Sequence, residues 1–448
     1  MSAPTRERGE EHRSPLESAH RAVRDGDAIA LRRVLEAHAE LRKAINEPLF
    51  PFDSPALVAI SGRGNVELVN VLLEFGADPN LRSGWWAGGF HPLHGATPAV
   101  AERLLAAGAI PDACAAAHLD RADLLERMLA EDPARVSERG GDGQTPLHFA
   151  RSRRVVDLLL GAGADIDARD IDHRSTAAEW MIGDVEAPRE SRIGIARYLV
   201  ERGASADIFL AAALGLTDRA RALLARDASL LSLRTGQGDY GEKKPSSFHI
   251  YMWTIGSNFT PLQTAAKFQQ KETLEAMTAY ASPAQRLLLA CHEGGRDEAL
   301  AIARAQPGIL QALTGADRRA LTDEAWAANA PAVELMLELG FDPAAESASG
   351  PTSGTALHCA AWQGSVECVA ALLRHPSGRA LIDVRESAYQ GTPLHWCCHG
   401  SMNCGNPRAD HVEVARLLLA AGAKPYADTG GSDAVAQVID AWRAAHPG

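Results

Sequence analysis

The residues best suited to chemistry gather in one short run, His395 to Cys404, which reads HWCCHGSMNC. His395 and His399 are spaced i,i+4, which puts both imidazoles on one face of a helix, and Cys404 or His411 could return as a third ligand to a transition metal. The run contains no paired C-x-x-C, so separate residues are the default, and neither a metal nor a cofactor is expected. A second grouping places the carboxylates Asp239 and Glu242 near His249, Tyr251 and Trp253. Aromatic walls with a few polar groups suit a small molecule. The chain has no G-x-S-x-G, no phosphate-cradling loop and no dinucleotide glycine fingerprint, which leaves an enzyme open and makes a non-catalytic protein the first expectation.

The elements that must position these residues follow one script. Thr145-Pro146-Leu147-His148, Thr260-Pro261-Leu262, Thr355-Ala356-Leu357-His358 and Thr392-Pro393-Leu394-His395 each begin with a Thr that can cap a helix. Where Pro follows, it takes the first helical position, at which its missing N–H costs nothing. A small-residue stretch, a polar break and a second apolar helix come next. The second helix ends on a glycine, at 76, 108, 163, 203, 340 and 422, the residue that most readily closes a last turn with positive φ. A helix pair of this kind leaves one face wet by itself, so the pairs must stack.

These segments resemble the ankyrin repeat, with its T-P-L-H-x-A signature. The resemblance implies an all-α solenoid of about 12 helix-turn-helix units with short β-hairpin turns and capping units. Residues 1–13 are expected to form a flexible N-terminus, 14–430 the solenoid, and 431–448 a C-terminal capping helix. Insertions fall at 82–93, 183–192, 233–259 and 399–411, and the third of these contains a strand-like run from His249 to Ile255. The stretches 113–142, 208–232 and 284–318 lack the signature and are inferred from phase.

The resemblance also implies a concave face built by the first helices and the hairpin tips, where a partner binds. Carried onto this chain, the groove positions are Phe149, Trp180 and Trp396, then Trp326, Trp362 and His399. The last three should form a ladder with steps of about 8–10 Å. Trp253 and the Trp85-Trp86 pair border the same side from insertions. His148, His358 and His395 are expected to hold turns, and Cys397 and Cys398 to fill small buried positions. Exposed aromatics in a row suit an anchor surface for a protein or peptide. The alternative is a small-molecule binder or enzyme with a pocket closed by the 233–259 insertion.

Composition narrows the partners. A net charge of −12 gives no global field for phosphates, so nucleic acid is not expected. No apolar stretch is long enough for a membrane span, and the charged start, MSAPTRERGEEHRSP, is unlike a signal peptide. A cytoplasmic protein with reduced thiols is the expectation from its seven cysteines. Arg outnumbers Lys 39 to 6, a bias associated with GC-rich bacterial genomes.

Overall fold

The computed structural model describes residues 14–183, 189–346, 354–425 and 430–446. The N-terminal 1–13 and residues 184–188 of the 183–192 insertion lie outside the described residues. Two compact units divide the chain: Met1–Ala206 with Gly241–Thr254, and Asp207–Tyr240 with Ile255–Gly448. Among the described residues the elements are helices, and β-pairing is limited to isolated bridges such as Arg169 with Thr176 at a hairpin. No helix is long and apolar enough to cross a membrane.

In the first unit, helix pairs lie at Pro15–Asp25 and Ala28–Ala37, Ala56–Ser61 and Val66–Glu74, Ala113–His118 and Ala122–Glu131, Pro146–Phe149 and Arg153–Gly161, and Ala177–Trp180 and Arg189–Glu201. The stretch 84–112 holds only one helix, Pro98–Ala106, because turns at 91–95 stand where a first helix would be. The second unit runs from Ile208–Leu214 through six such pairs to the closing helix Asp433–Ala445. Small residues at the inner positions, Ala360, Ala361, Cys397 and Cys398 among them, are fully or almost fully buried. They let successive first helices come close, and the second helices add the Leu and Val that complete the core.

The helix starts and stops have the same physical cause throughout. The Thr145 N–H donates to His148 Nδ1 at 3.2 Å, which leaves the proton on Nε2 to donate to the Ser175 carbonyl of the next hairpin at 3.0 Å. His358 repeats this with Thr355 and with the Gly391 carbonyl at 3.1 Å. Gln263 and Glu179 take the same capping place with Thr260 and Thr176. The six helix-ending glycines all adopt φ between 91° and 106°, a region that penalises a Cβ.

Two expectations about the insertions need correction. His249 to Ile255 is not a strand: Tyr251–Thr254 is a helical turn, with Met252 and Trp253 N–H donating to the His249 and Ile250 carbonyls at 3.0 and 2.9 Å. Ile250 and Tyr251 are buried consecutively, which alternation onto two faces of a strand would not favour. The segment at 399–411 begins as helix, since Pro393–Asn403 runs on through Asn403 before the chain returns over the preceding pair. There Asn406 Nδ2 donates to the Gln363 carbonyl at 2.8 Å, and Asp410 N–H to that of Gly364 at 2.9 Å.

Candidate functional site

Each unit brings one group of the singled-out residues together. In the second unit, Trp326 and Trp362 end the helices Ala320–Trp326 and Ala356–Trp362, and His399 lies in Pro393–Asn403. The small buried residues behind them draw these helices together, so the side chains at matching repeat positions meet. The Trp326 and Trp362 rings stack with centroids 6.2 Å apart at 19°, and His399 follows at 5.1 Å from Trp362. These steps are shorter than a helix spacing because the rings lean toward one another. Both indoles are half-buried and His399 is exposed.

Trp396 departs from the groove position assigned to it, being only 8% exposed. Its ring packs edge-on against His358 at 5.5 Å and Trp362 at 5.9 Å, and its indole N–H donates to Glu386. Glu386 is itself buried and accepts from the backbone N–H groups of Ala388, Tyr389 and Gly391. Burial pushes this carboxyl up, but the hydrogen bonds outweigh it and leave the group below its ordinary value. Trp396 therefore ties a hairpin to the helix that carries His399.

The four residues weighed together as a metal site do not converge. His395 Nδ1 faces its capping Thr392, His411 Nε2 meets the Trp362 carbonyl at 2.8 Å, and Cys404 Sγ lies 3.4 Å from Gln363 Oε1. His399 points to the tryptophan row.

In the first unit, two successive hairpin tips are zipped together. Asp142, at φ 55°, accepts at its carbonyl from Ile171 and Asp172 N–H at 2.9 and 3.1 Å. Gly143 beside it permits the approach, since a Cβ there would meet Ile171 at 2.4 Å. Within the second tip the Asp170 carboxylate accepts from Ser175 N–H and from the Trp180 indole, both at 2.9 Å. The segment 246–249 then docks on this tip: Ser247 N–H donates to Asp172 Oδ1 at 3.0 Å, and His173 Nδ1 meets the Phe248 carbonyl at 2.8 Å.

The result is a cluster of Asp142, Asp172 and His173, all at most 9% exposed, with Trp180 and Trp253 edge-on to the His173 ring at 5.2 and 4.7 Å. Trp253 is 55% exposed and forms the rim. His249 and Tyr251 are buried instead of lining a surface: His249 Nε2 is 3.5 Å from Glu179, and the two rings are 4.4 Å apart. They support the rim from behind, because the helical turn at 251–254 puts Tyr251 on its inner side and Trp253 on its outer side. Burial, reinforced by the charges of Asp172 and Asp170 and opposed by His173, pushes the Asp142 carboxyl up to about 7. Chemically, the cluster offers two carboxylates and an imidazole nitrogen converging beneath an aromatic edge.

The reading of the sequence missed Asp142, Asp172 and His173. The signal was available in GGDGQTP and DIDHRST, which place an Asp at equivalent hairpin tips one repeat apart. Ankyrin-repeat family models match residues 323–429, as three copies, and residues 142–171. No curated protein matches the chain.

Proposed function

We propose, from the ankyrin repeats found at 142–171 and 323–429 and from the general role of such repeats as protein-interaction modules, that the chain is a non-catalytic module that binds a protein or peptide through aromatic anchors. The contact surface is the row Trp326, Trp362 and His399 of the second unit. The observation that carries this reading is the stacked, half-exposed Trp326–Trp362 pair with exposed His399 beside it. Helix packing does not require indoles there, since the inner faces of the same helices already bury Leu321, Ala325, Leu357 and Ala360. Large aromatics in a row are the residue type most enriched among energetic anchors.

In the first unit Trp253, and Trp180 behind it, form a second aromatic edge of the same character. A small molecule held between Tyr251, Trp253 and His249 finds less support, since two of these three side chains are buried against Glu179 and one another. Trp362→Ala tests the proposal by partner capture and melting run in parallel. A partner anchor loses about 2–4 kcal/mol of binding on truncation, with the melting temperature nearly unchanged. A variant that melts early while retaining every captured species would sink the proposal and make the row internal packing.

A further inference from the structure

We infer that Asp142, Asp172 and His173 of the first unit form a binding site for a divalent first-row transition ion, zinc foremost. One ligand atom from each residue lies within 4.8 Å of the other two. His173 Nε2 stands 3.7 Å from Asp172 Oδ2 and 3.9 Å from Asp142 Oδ2. These separations are too long for hydrogen bonds. They suit ligands that each sit about 2.0–2.2 Å from one shared ion and open a wide angle across it.

The protonation of the imidazole points the same way. The Phe248 carbonyl, 2.8 Å from His173 Nδ1, can only accept, so Nδ1 carries a proton. A ring held by a backbone carbonyl on one nitrogen presents the other to a metal, the arrangement that outer-shell partners impose on ligating histidines. Here Nε2 faces two carboxylates and makes no hydrogen bond with either. If it were protonated, its N–H would stand 3.7 Å from Asp172 and 3.9 Å from Asp142, with a hydrogen bond to neither. If it is not, a lone pair and two carboxyl groups face each other, and a cation between them would hold all three.

A second observation concerns Asp142 alone. Its side chain is buried, with the residue 8% exposed, and it faces His173. The Trp85 indole N–H, buried beside it, makes no hydrogen bond. The neighbouring His94–Asp112–Cys114 group shows what a completed cluster looks like. There His94 Nε2 bonds Asp112 at 2.8 Å, Ala115 N–H donates to the same carboxylate at 2.6 Å, and the Arg82 guanidinium already supplies the positive charge. Nothing equivalent serves Asp142. One imidazole with two carboxylates is a borderline donor set that suits zinc, iron or manganese, and zinc binds such a set more tightly than the other two.

The test uses the full chain, stripped with a chelator, with Zn2+ alone titrated against a chromogenic competitor. One tight zinc per chain is expected, together with a higher melting temperature, because the ion joins two hairpin tips. Asp142→Asn removes one ligand while keeping its shape, and should weaken that zinc by at least about 100-fold, the upper end of what losing an outer-shell partner costs. The metal-free variant should melt no earlier than the metal-free parent, since one of two adjacent buried carboxylates is gone. His173→Gln should lose the zinc equally, which keeps the test decisive if the first variant misfolds. Cys114→Ser should retain it. Absence of a stoichiometric zinc in the parent, its persistence in Asp142→Asn and His173→Gln, or its loss on Cys114→Ser would overturn the assignment.

Discussion

The tryptophan row of the second unit and the carboxylate–histidine cluster of the first are built by the same device and end in opposite chemistry. In both, equivalent positions in successive repeats are brought side by side. In the second unit those positions lie at the ends of first helices and hold indoles, so the product is an apolar row open on one side. In the first they lie on hairpin tips and hold Asp and His, and segment 246–249 packs over them, so the product is a buried polar cluster. The repeat supplies juxtaposition. Whether the product is a surface or an enclosed site depends on what covers it.

The largest expected effect separates buried Trp396 from its neighbour Trp362 in the row. Trp396→Ala should cost about 3–5 kcal/mol of unfolding free energy, the usual cost of a large aromatic lost from a packed site, and it also strips a donor from buried Glu386. Trp362→Ala should change stability by no more than about 1 kcal/mol. Denaturant melts of both variants check this, and equal losses would mean that the row is as closed as the cluster.

Acid should affect the first unit before the second. His91 and His118 are held down to about 4 from 6.5, in both cases first by burial, with Arg151 adding to the effect on His118. For a lowered value the contribution to stability is complete above pH 6.5 and is lost as pH falls toward 4. For buried His91 it amounts to about 3 kcal/mol. In the second unit His358 and His395 are lowered as well, but His292 is raised. Burial opposes that rise, and the Glu324 hydrogen bond and charge overcome it. His292 therefore contributes stability at low pH, present below its unfolded value and lost as pH rises through its folded one. Asp142 titrates the other way within the first unit, its contribution being lost as pH rises through about 7. The measurement is therefore made on Asp142→Asn. Hydrogen exchange at pH 7 and pH 5 should show residues 84–118 losing protection before residues 354–400.

The smallest effect is a matter of rate. Six of the seven cysteines are buried and Cys404 is half-buried. Burial pushes the Cys398 thiol up to about 11 and Cys359 and Cys397 higher still, which keeps thiolate scarce. Cys404 should be alkylated first in native protein, with the rest reacting only on denaturation. Mass spectrometry that found Cys397 or Cys398 modified first would mean that the helix carrying His399 opens more readily than its packing implies.

Much of the framework was legible from local chemistry. Thr145, Thr260, Thr355 and Thr392 announced helix starts, and the six glycines announced helix ends, because capping and positive φ are decided within a few residues. The strand-like run at 249–255 misled for the complementary reason: residue type says which side chains are apolar but not whether a neighbouring edge exists to receive strand hydrogen bonds. Trp396 was assigned to the groove on register alone, whereas its partner Glu386 belongs to a hairpin whose fold-back register does not encode.

By itself, the sequence determined that the chain folds as capped helix pairs and that Trp326 and Trp362 occupy matching positions, since both follow from caps, turns and repeat phase. Only the tertiary structure decided which of those positions stay open and which are enclosed. It decided too that Asp142 and Asp172 meet His173. Those contacts depend on two hairpin tips zipping together and on a segment some seventy-five residues further along packing against them, and side-chain burial at such a place is set by distant chain, not by neighbours in sequence.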